Sequence, residues 1–163
     1  LAVPFISQWE ERSGQCKGWG NCGPASAAMV VEYFGKRPEE LSDAEFVHWL
    51  RLKMTGQADS DANPYTDMGD IKEACDKEEI GLACRDVGSV AEIKKAVQSG
   101  EVVICAVDAQ LLQPPQYAEH FVSGGMRHHI LVVRGFGHLG QDQVVWVNDP
   151  LSNPQTLSEG GKP

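Results

Sequence analysis

Residues 21–35 read NCGPASAAMVVEYFG, and the rest of the chain is organised around them. Asn21 suits an N-cap, Pro24 fits a first helical turn, and Gly35 suits the residue just past a helix end. Between them Ala25–Phe34 is almost wholly apolar, with Glu32 its only charge. A helix apolar nearly all round is a buried one. The pattern therefore predicts a central buried helix with the thiol of Cys22 at its positive end. Such an end stabilises thiolate, the nucleophilic form of cysteine. A cysteine with no such setting is more often a small core residue. The cap position and the flanking Gly23–Pro24 favour a reactive thiol.

A nucleophilic thiol needs a base from elsewhere in the chain. Residues 128–150 read HHILVVRGFGHLGQDQVVWVNDP. Two β-branched runs, Ile130–Val133 and Val144–Val147, flank a loop of Gly137, His138, Leu139 and Gly140, which is a hairpin signal. A hairpin centred near Leu139 sets His129 opposite Asp149, Leu131 opposite Val147 and Val133 opposite Val145. Opposed residues share a face with Cβ atoms about 5 Å apart. A carboxylate at that distance orients an imidazole and supports its cation. A centre shifted by one residue pairs His128 with Asn148, and an amide can also orient a histidine. Periodicity leaves both registers open.

These blocks resemble the papain-like cysteine peptidases of the C39-like group, related to the leader-peptide-removing domains of bacteriocin exporters. VPFISQW (Val3–Trp9) resembles that family's opening strand, which ends in an oxyanion-hole glutamine. NCGPASAAMVVEYFG resembles its nucleophile helix, and HHILVVRGFG with VWVNDP resembles its histidine strand and Asp–Pro block. The family histidine opens an apolar strand that closes on Gly–aromatic, so the resemblance selects His129, with Gly135 and Phe136 following, and Asp149. The resemblance implies four site residues. Cys22 attacks the scissile carbonyl, His129 carries the thiol proton to the leaving amine, and Asp149 orients His129. Gln8 and the Cys22 N–H donate to the oxyanion. The Gln8–Cys22 interval holds Cys16 and three glycines and is longer than in the exporter domains. The implied fold is α+β and papain-like, an N-terminal helical half packed on a C-terminal antiparallel sheet. The cleft between them takes a peptide or protein substrate in extended conformation. The implied chemistry is peptide hydrolysis through a thioester, with no cofactor required. The same triad serves a thiol-dependent amidase or acyltransferase, and a non-catalytic peptide-binding module keeps the cleft with an inert Cys22. An extracellular or cell-envelope location is implied only by the resemblance.

The remaining sequence bounds these readings. A chain of 163 residues, 42% hydrophobic, is the size of one domain and buries about 70% of its extended surface. No apolar run approaches the roughly 20 residues of a membrane span, and LAVPF lacks the features of a signal peptide. A net charge of −9 argues against nucleic acid and anionic membranes as partners.

With Cys22 free, Cys16, Cys75, Cys84 and Cys105 remain. Cys75 and Cys84 flank a helix-to-strand turn and are the best-placed pair for a disulfide. Cys105, in the apolar run Val102–Val107, reads as a core thiol. No C-x-x-C motif and no zinc spacing occurs.

Further helices are expected over Asp43–Lys53, capped by Ser42 or Asp43, over Asp67–Lys77, stopped by Gly81, and over Val90–Gln98, capped by Ser89 and ended by Gly100. Strands are expected over Leu82–Val87 and Val102–Val107. His48 reads as a packing or surface residue and His138 as exposed at the hairpin tip. In the loop between the second and third helices, Asp59, Asp61, Asn63, Tyr65, Asp67 and Asp70 fall on positions 1, 3, 5, 7, 9 and 12 of a calcium-loop template. Pro64 stands where that template needs glycine and Asp70 where it needs glutamate, so a solvated loop capping the next helix through Thr66 or Asp67 is the competing reading. Ala109–Met126, which contains His120, reads as a site wall or lid. Residues 151–163, rich in Gly, Pro and Ser, read as a flexible tail.

Overall fold

The computed structural model describes residues 1–10, 18, 20–57, 65–108 and 128–152. Cys16, Asp59, Asp61, Asn63, Pro64, His120, the 109–126 connection and most of the 151–163 tail lie outside them. The described residues form an α+β arrangement: α1 (Cys22–Tyr33), α2 (Asp43–Thr55), α3 (Met68–Lys77), α4 (Val90–Gln98), β1 (Val103–Asp108), β2 (His128–Leu139) and β3 (Asp142–Asn148). The sheet is antiparallel throughout, in the order β1-β2-β3.

α1 is buried from Gly23 to Val31, as an all-apolar helix must be. It ends at Gly35, φ +67°, where the Lys36 N–H bonds the Val31 carbonyl and the Gly35 N–H bonds Glu32. α2 and α3 begin with reciprocal capping boxes, Ser42 with Glu45 and Asp67 with Asp70. Two of the acidic residues of the calcium template thus satisfy the start of α3.

Central strand β2 has helices on both faces. Ile130 and Val132 join the core formed by α1, α2 and α3, while Leu131 and Val133 meet Val97 and Ile93 of α4. The expected packing of one helical half against one sheet is corrected in this respect, because α4 covers the opposite face.

Several local expectations are also corrected. Leu82–Val87 forms no strand: the segment is mostly exposed and finds no partner strand among the described residues, and the Leu82 N–H bonds the Asp76 carboxylate instead. Val3–Trp9 lies outside the sheet and is held to residues 148–152 by other bonds. α3 ends before Gly81, with Glu79 in the left-handed region at φ +61° and the Ile80 N–H bonding the Cys75 carbonyl. β1 is a half-buried edge rather than a buried strand. Cys75 and Cys84 are free thiols, with Cys75 in the core and Cys84 exposed beside the Met68 carbonyl. Burial pushes the Cys75 thiol up to about 12.

Neither expected hairpin register forms. Val132 pairs with Asn148 and Val133 with Val147. Arg134 is then bulged out, and from Gly135, which pairs with Trp146, to Leu139, which pairs with Asp142, the register is one residue longer. The tight turn falls at Gly140–Gln141, with Gly140 at φ +65°. His138 is exposed on the strand, two residues before that turn.

Candidate active site

Residue 22 opens α1, and the helix is keyed to the sheet one turn later. Ser26, four residues on and so on the same face, donates from its hydroxyl to the Ile130 carbonyl at 3.2 Å. Ile130 follows His129, so this bond sets the start of α1 beside the start of β2. The Cys22 sulfur is near enough to the His129 ring to favour its protonated form. His129 Nε2 lies 2.6 Å from Asp149 Oδ1 and donates to it, which leaves Nδ1 available to a second partner.

His129 and Asp149 are not directly opposed. Asn148, the last paired residue of β3, faces Val132, so the continuing register would set Asp149 against Leu131. Asp149 lies one residue past the end of β3 and reaches His129 from outside the ladder. The chain turns after Asn148, and the Leu151 N–H bonds Asp149 Oδ1 at 2.9 Å, which fixes the carboxylate. Asn148 does not orient His128. Its amide donates to the Val3 and Pro4 carbonyls at 3.1 and 2.9 Å, and His128 is exposed opposite Asp108.

The His129 side chain is 2% exposed and that of Asp149 12%. Burial alone would lower the His129 pKa. The hydrogen bonds and negative charges of Asp149 and Cys22 outweigh it and push the value up to about 9.

Gln8 is buried. Its backbone N–H bonds the Pro150 carbonyl at 2.8 Å, and its Nε2 donates to the Gly18 carbonyl at 3.0 Å. The same Gly18 carbonyl accepts from the Asn21 N–H at 3.1 Å. Gln8 is thus tied both to the residue before Cys22 and to the residue after Asp149. Ser7 strengthens the second tie, its hydroxyl lying 3.3 Å from the Pro150 carbonyl and 3.1 Å from that of Ser152.

Asn21 occupies the position before α1 but makes no capping bond with its side chain. Its Oδ1 accepts instead from Arg51 Nη1 at 2.7 Å. Gly23 has a packing role: a Cβ there would lie 2.0 Å from Thr66 Oγ1. Sequence reasoning missed Ser7, Ser26 and Arg51, and weighed Asn148 only as a partner for His128, not as a bond to residues 3 and 4. Ser26 alone left a signal, as a polar residue within an otherwise apolar helical run.

A groove of about 690 Å³ lies between α4, β1 and the Gly81–Val87 segment, away from all these residues. Among the described residues no group of three metal-ligating side chains occurs, and no helix is long and apolar enough to cross a membrane.

The model of the Peptidase_C39 like family matches residues 1–159 of the 163. The chain belongs to the C39-like peptidase family. In general terms its function is cysteine peptidase-like. Neither the curated proteins nor the solved structures contain a match to it.

Proposed function

We propose that this C39-like chain is a papain-like cysteine peptidase acting through Cys22, His129 and Asp149. The observation that carries the reading is one buried imidazole bonded at 2.6 Å to the Asp149 carboxylate, with Cys22 near enough to favour its protonated form. The Cys22 proton passes to His129, and Asp149 stabilises the resulting imidazolium. The sulfur attacks the carbonyl carbon of an extended peptide. The oxyanion accepts hydrogen bonds from the Cys22 N–H and from the Gln8 amide, whose Nε2 has a second hydrogen beyond the one given to Gly18. Collapse breaks the C–N bond, and the amine leaves with the proton from His129. Water then gives a proton to His129 and attacks the thioester, releasing the acid and restoring the thiol. None of these steps uses a cofactor.

The test is the pH dependence of iodoacetamide alkylation at Cys22, located by peptide mapping, together with cleavage of denatured casein. Wild type is expected to alkylate at Cys22 below pH 7 and to cleave casein. His129→Ala loses the first, and Cys22→Ala loses cleavage while folding normally. Asp149→Ala impairs cleavage far more than His128→Ala. Substantial cleavage by Cys22→Ala removes the thiol from the mechanism. A reactive Cys22 that cleaves only non-protein amides moves the reading to an amidase, and an unreactive Cys22 moves it to a peptide-binding module.

A further inference from the structure

The four helices do not begin alike. Ser42, Asp67 and Ser89, before α2, α3 and α4, are extended, with ψ of 167°, 179° and 154°. From that geometry Ser42 and Asp67 cap their helices by accepting from the third N–H, whereas Ser89, the expected cap of α4, makes no side-chain cap bond. Asn21, before α1, instead sits at φ −94°, ψ 11°, in the sparsely populated bridge region. The third position of α1 is Pro24, which has no N–H. An ordinary cap by Asn21 would therefore take the Gly23 N–H. What holds Asn21 away comes from α2. Arg51, wholly buried, donates from Nη1 to Asn21 Oδ1 at 2.7 Å and to the Gly20 carbonyl at 3.1 Å. Burying a guanidinium is costly, so its bonds to these two residues call for a reason.

We infer that Arg51 is a positioning residue that keeps the nucleophile helix uncapped. By engaging Asn21 it leaves the first N–H groups of α1, those of Cys22 and Gly23, directed at the substrate carbonyl. The inference rests on the peptidase reading above. Uncapped N–H groups at a helix start carry the partial positive charge that stabilises a developing oxyanion, and a side-chain oxygen on the same donors would compete with it. α4 also starts without a side-chain cap bond, but only at α1 is the cap residue's oxygen held by a buried side chain of another helix, and only there does the helix start face the reaction.

Two probes separate this role from a merely structural one. Iodoacetamide reports thiol reactivity and forms no oxyanion. p-Nitrophenyl acetate acylates the thiol through a tetrahedral oxyanion and releases p-nitrophenolate. Both reactions are read at Cys22 by peptide mapping, with Cys22→Ala as background. Asn21→Ser and Asn21→Ala both lose the bond to Arg51, but only serine is a good cap. Asn21→Ser is expected to lower acylation about tenfold or more while alkylation stays within about twofold of wild type. Asn21→Ala is expected to acylate faster than Asn21→Ser. Arg51→Met should behave like Asn21→Ser, and the double variant Arg51→Met/Asn21→Ala should recover acylation. Equal acylation in the serine and alanine variants, or a parallel fall in both probes, overturns the inference. That comparison stands even where Arg51→Met fails to fold. A wild type whose Cys22 reacts with neither probe sinks the peptidase reading itself, before any variant is made.

Discussion

At His129 two opposing effects meet. Burial disfavours the imidazolium, while Asp149 and Cys22 favour it and prevail, giving a value near 9. The folded chain therefore holds this proton more tightly than the unfolded chain, whose histidines titrate near about 6.5. The resulting stability is fully present below about pH 6.5 and is lost as pH rises through about 9. Urea unfolding of wild type should show that loss between about pH 6 and 9.5, and Asp149→Asn, which removes the carboxylate charge, should flatten it by on the order of 2 kcal/mol. An unchanged slope in Asp149→Asn would assign the shift to Cys22. Gly23 makes a steric prediction. Gly23→Ala sets a Cβ 2.0 Å from Thr66 Oγ1, and overpacking of this kind costs about 1–3 kcal/mol. Adding Thr66→Ala should restore most of the loss, because the next nearest atom, Thr66 Cβ, lies at 3.3 Å and Oγ1 has no hydrogen-bond partner. Urea midpoints of the single and double variants check both statements. Sequence alone marked Gly23 as the companion of a reactive cysteine, and only the approach of Thr66 gives it a steric reason.

The helices were legible where their ends carry local chemistry. Ser42 with Glu45, Asp67 with Asp70, and the stops at Gly35 and Gly100 all act within one turn of chain. The stop of α3 was misplaced because Glu79, an unusual residue at positive φ, does what glycine does at the ends of α1 and α4. Glu79→Gly should therefore raise the melting temperature by a few degrees. The exposed Lys36–Glu79 pair it removes contributes little. A lower melting temperature by calorimetry would mean that the pair outweighs the backbone strain. The strands were less legible. Leu82–Val87 has strand-like residues, yet a strand exists only by pairing, and this segment finds no partner among the described residues. The hairpin was evident as two β-branched runs, but its register was not. The bulge at Arg134 inserts one residue that no periodicity announces.

Across the whole molecule, the site joins regions far apart in sequence. The start of α1, the start of β2 and the end of β3 meet at one edge of the core, and the N-terminal segment 3–9 binds them together. Asn148 is the clasp of that assembly, since its buried amide donates to the Val3 and Pro4 carbonyls. Asn148→Ala leaves those acceptors unpaired and is expected to cost about 1–3 kcal/mol in urea unfolding. It should also lower acylation of Cys22 by p-nitrophenyl acetate, because Gln8 hangs from the same segment. A stability loss with unchanged acylation would show that Gln8 is held independently of residues 3–4. By itself the sequence determined the nucleophile helix, its glycine stop, the capped starts of α2 and α3 and the two runs of the hairpin. Each is set by interactions within a few residues. Its resemblance to C39-like peptidases named Gln8, Cys22, His129 and Asp149. Only the tertiary structure decided that Asp149 meets His129 from beyond the end of β3, that Gln8 hangs between Gly18 and Pro150, and that Asn21 turns to Arg51 instead of capping α1. The physical reason is that a buried polar atom must find a partner wherever the fold supplies one, and that partner can lie more than a hundred residues away.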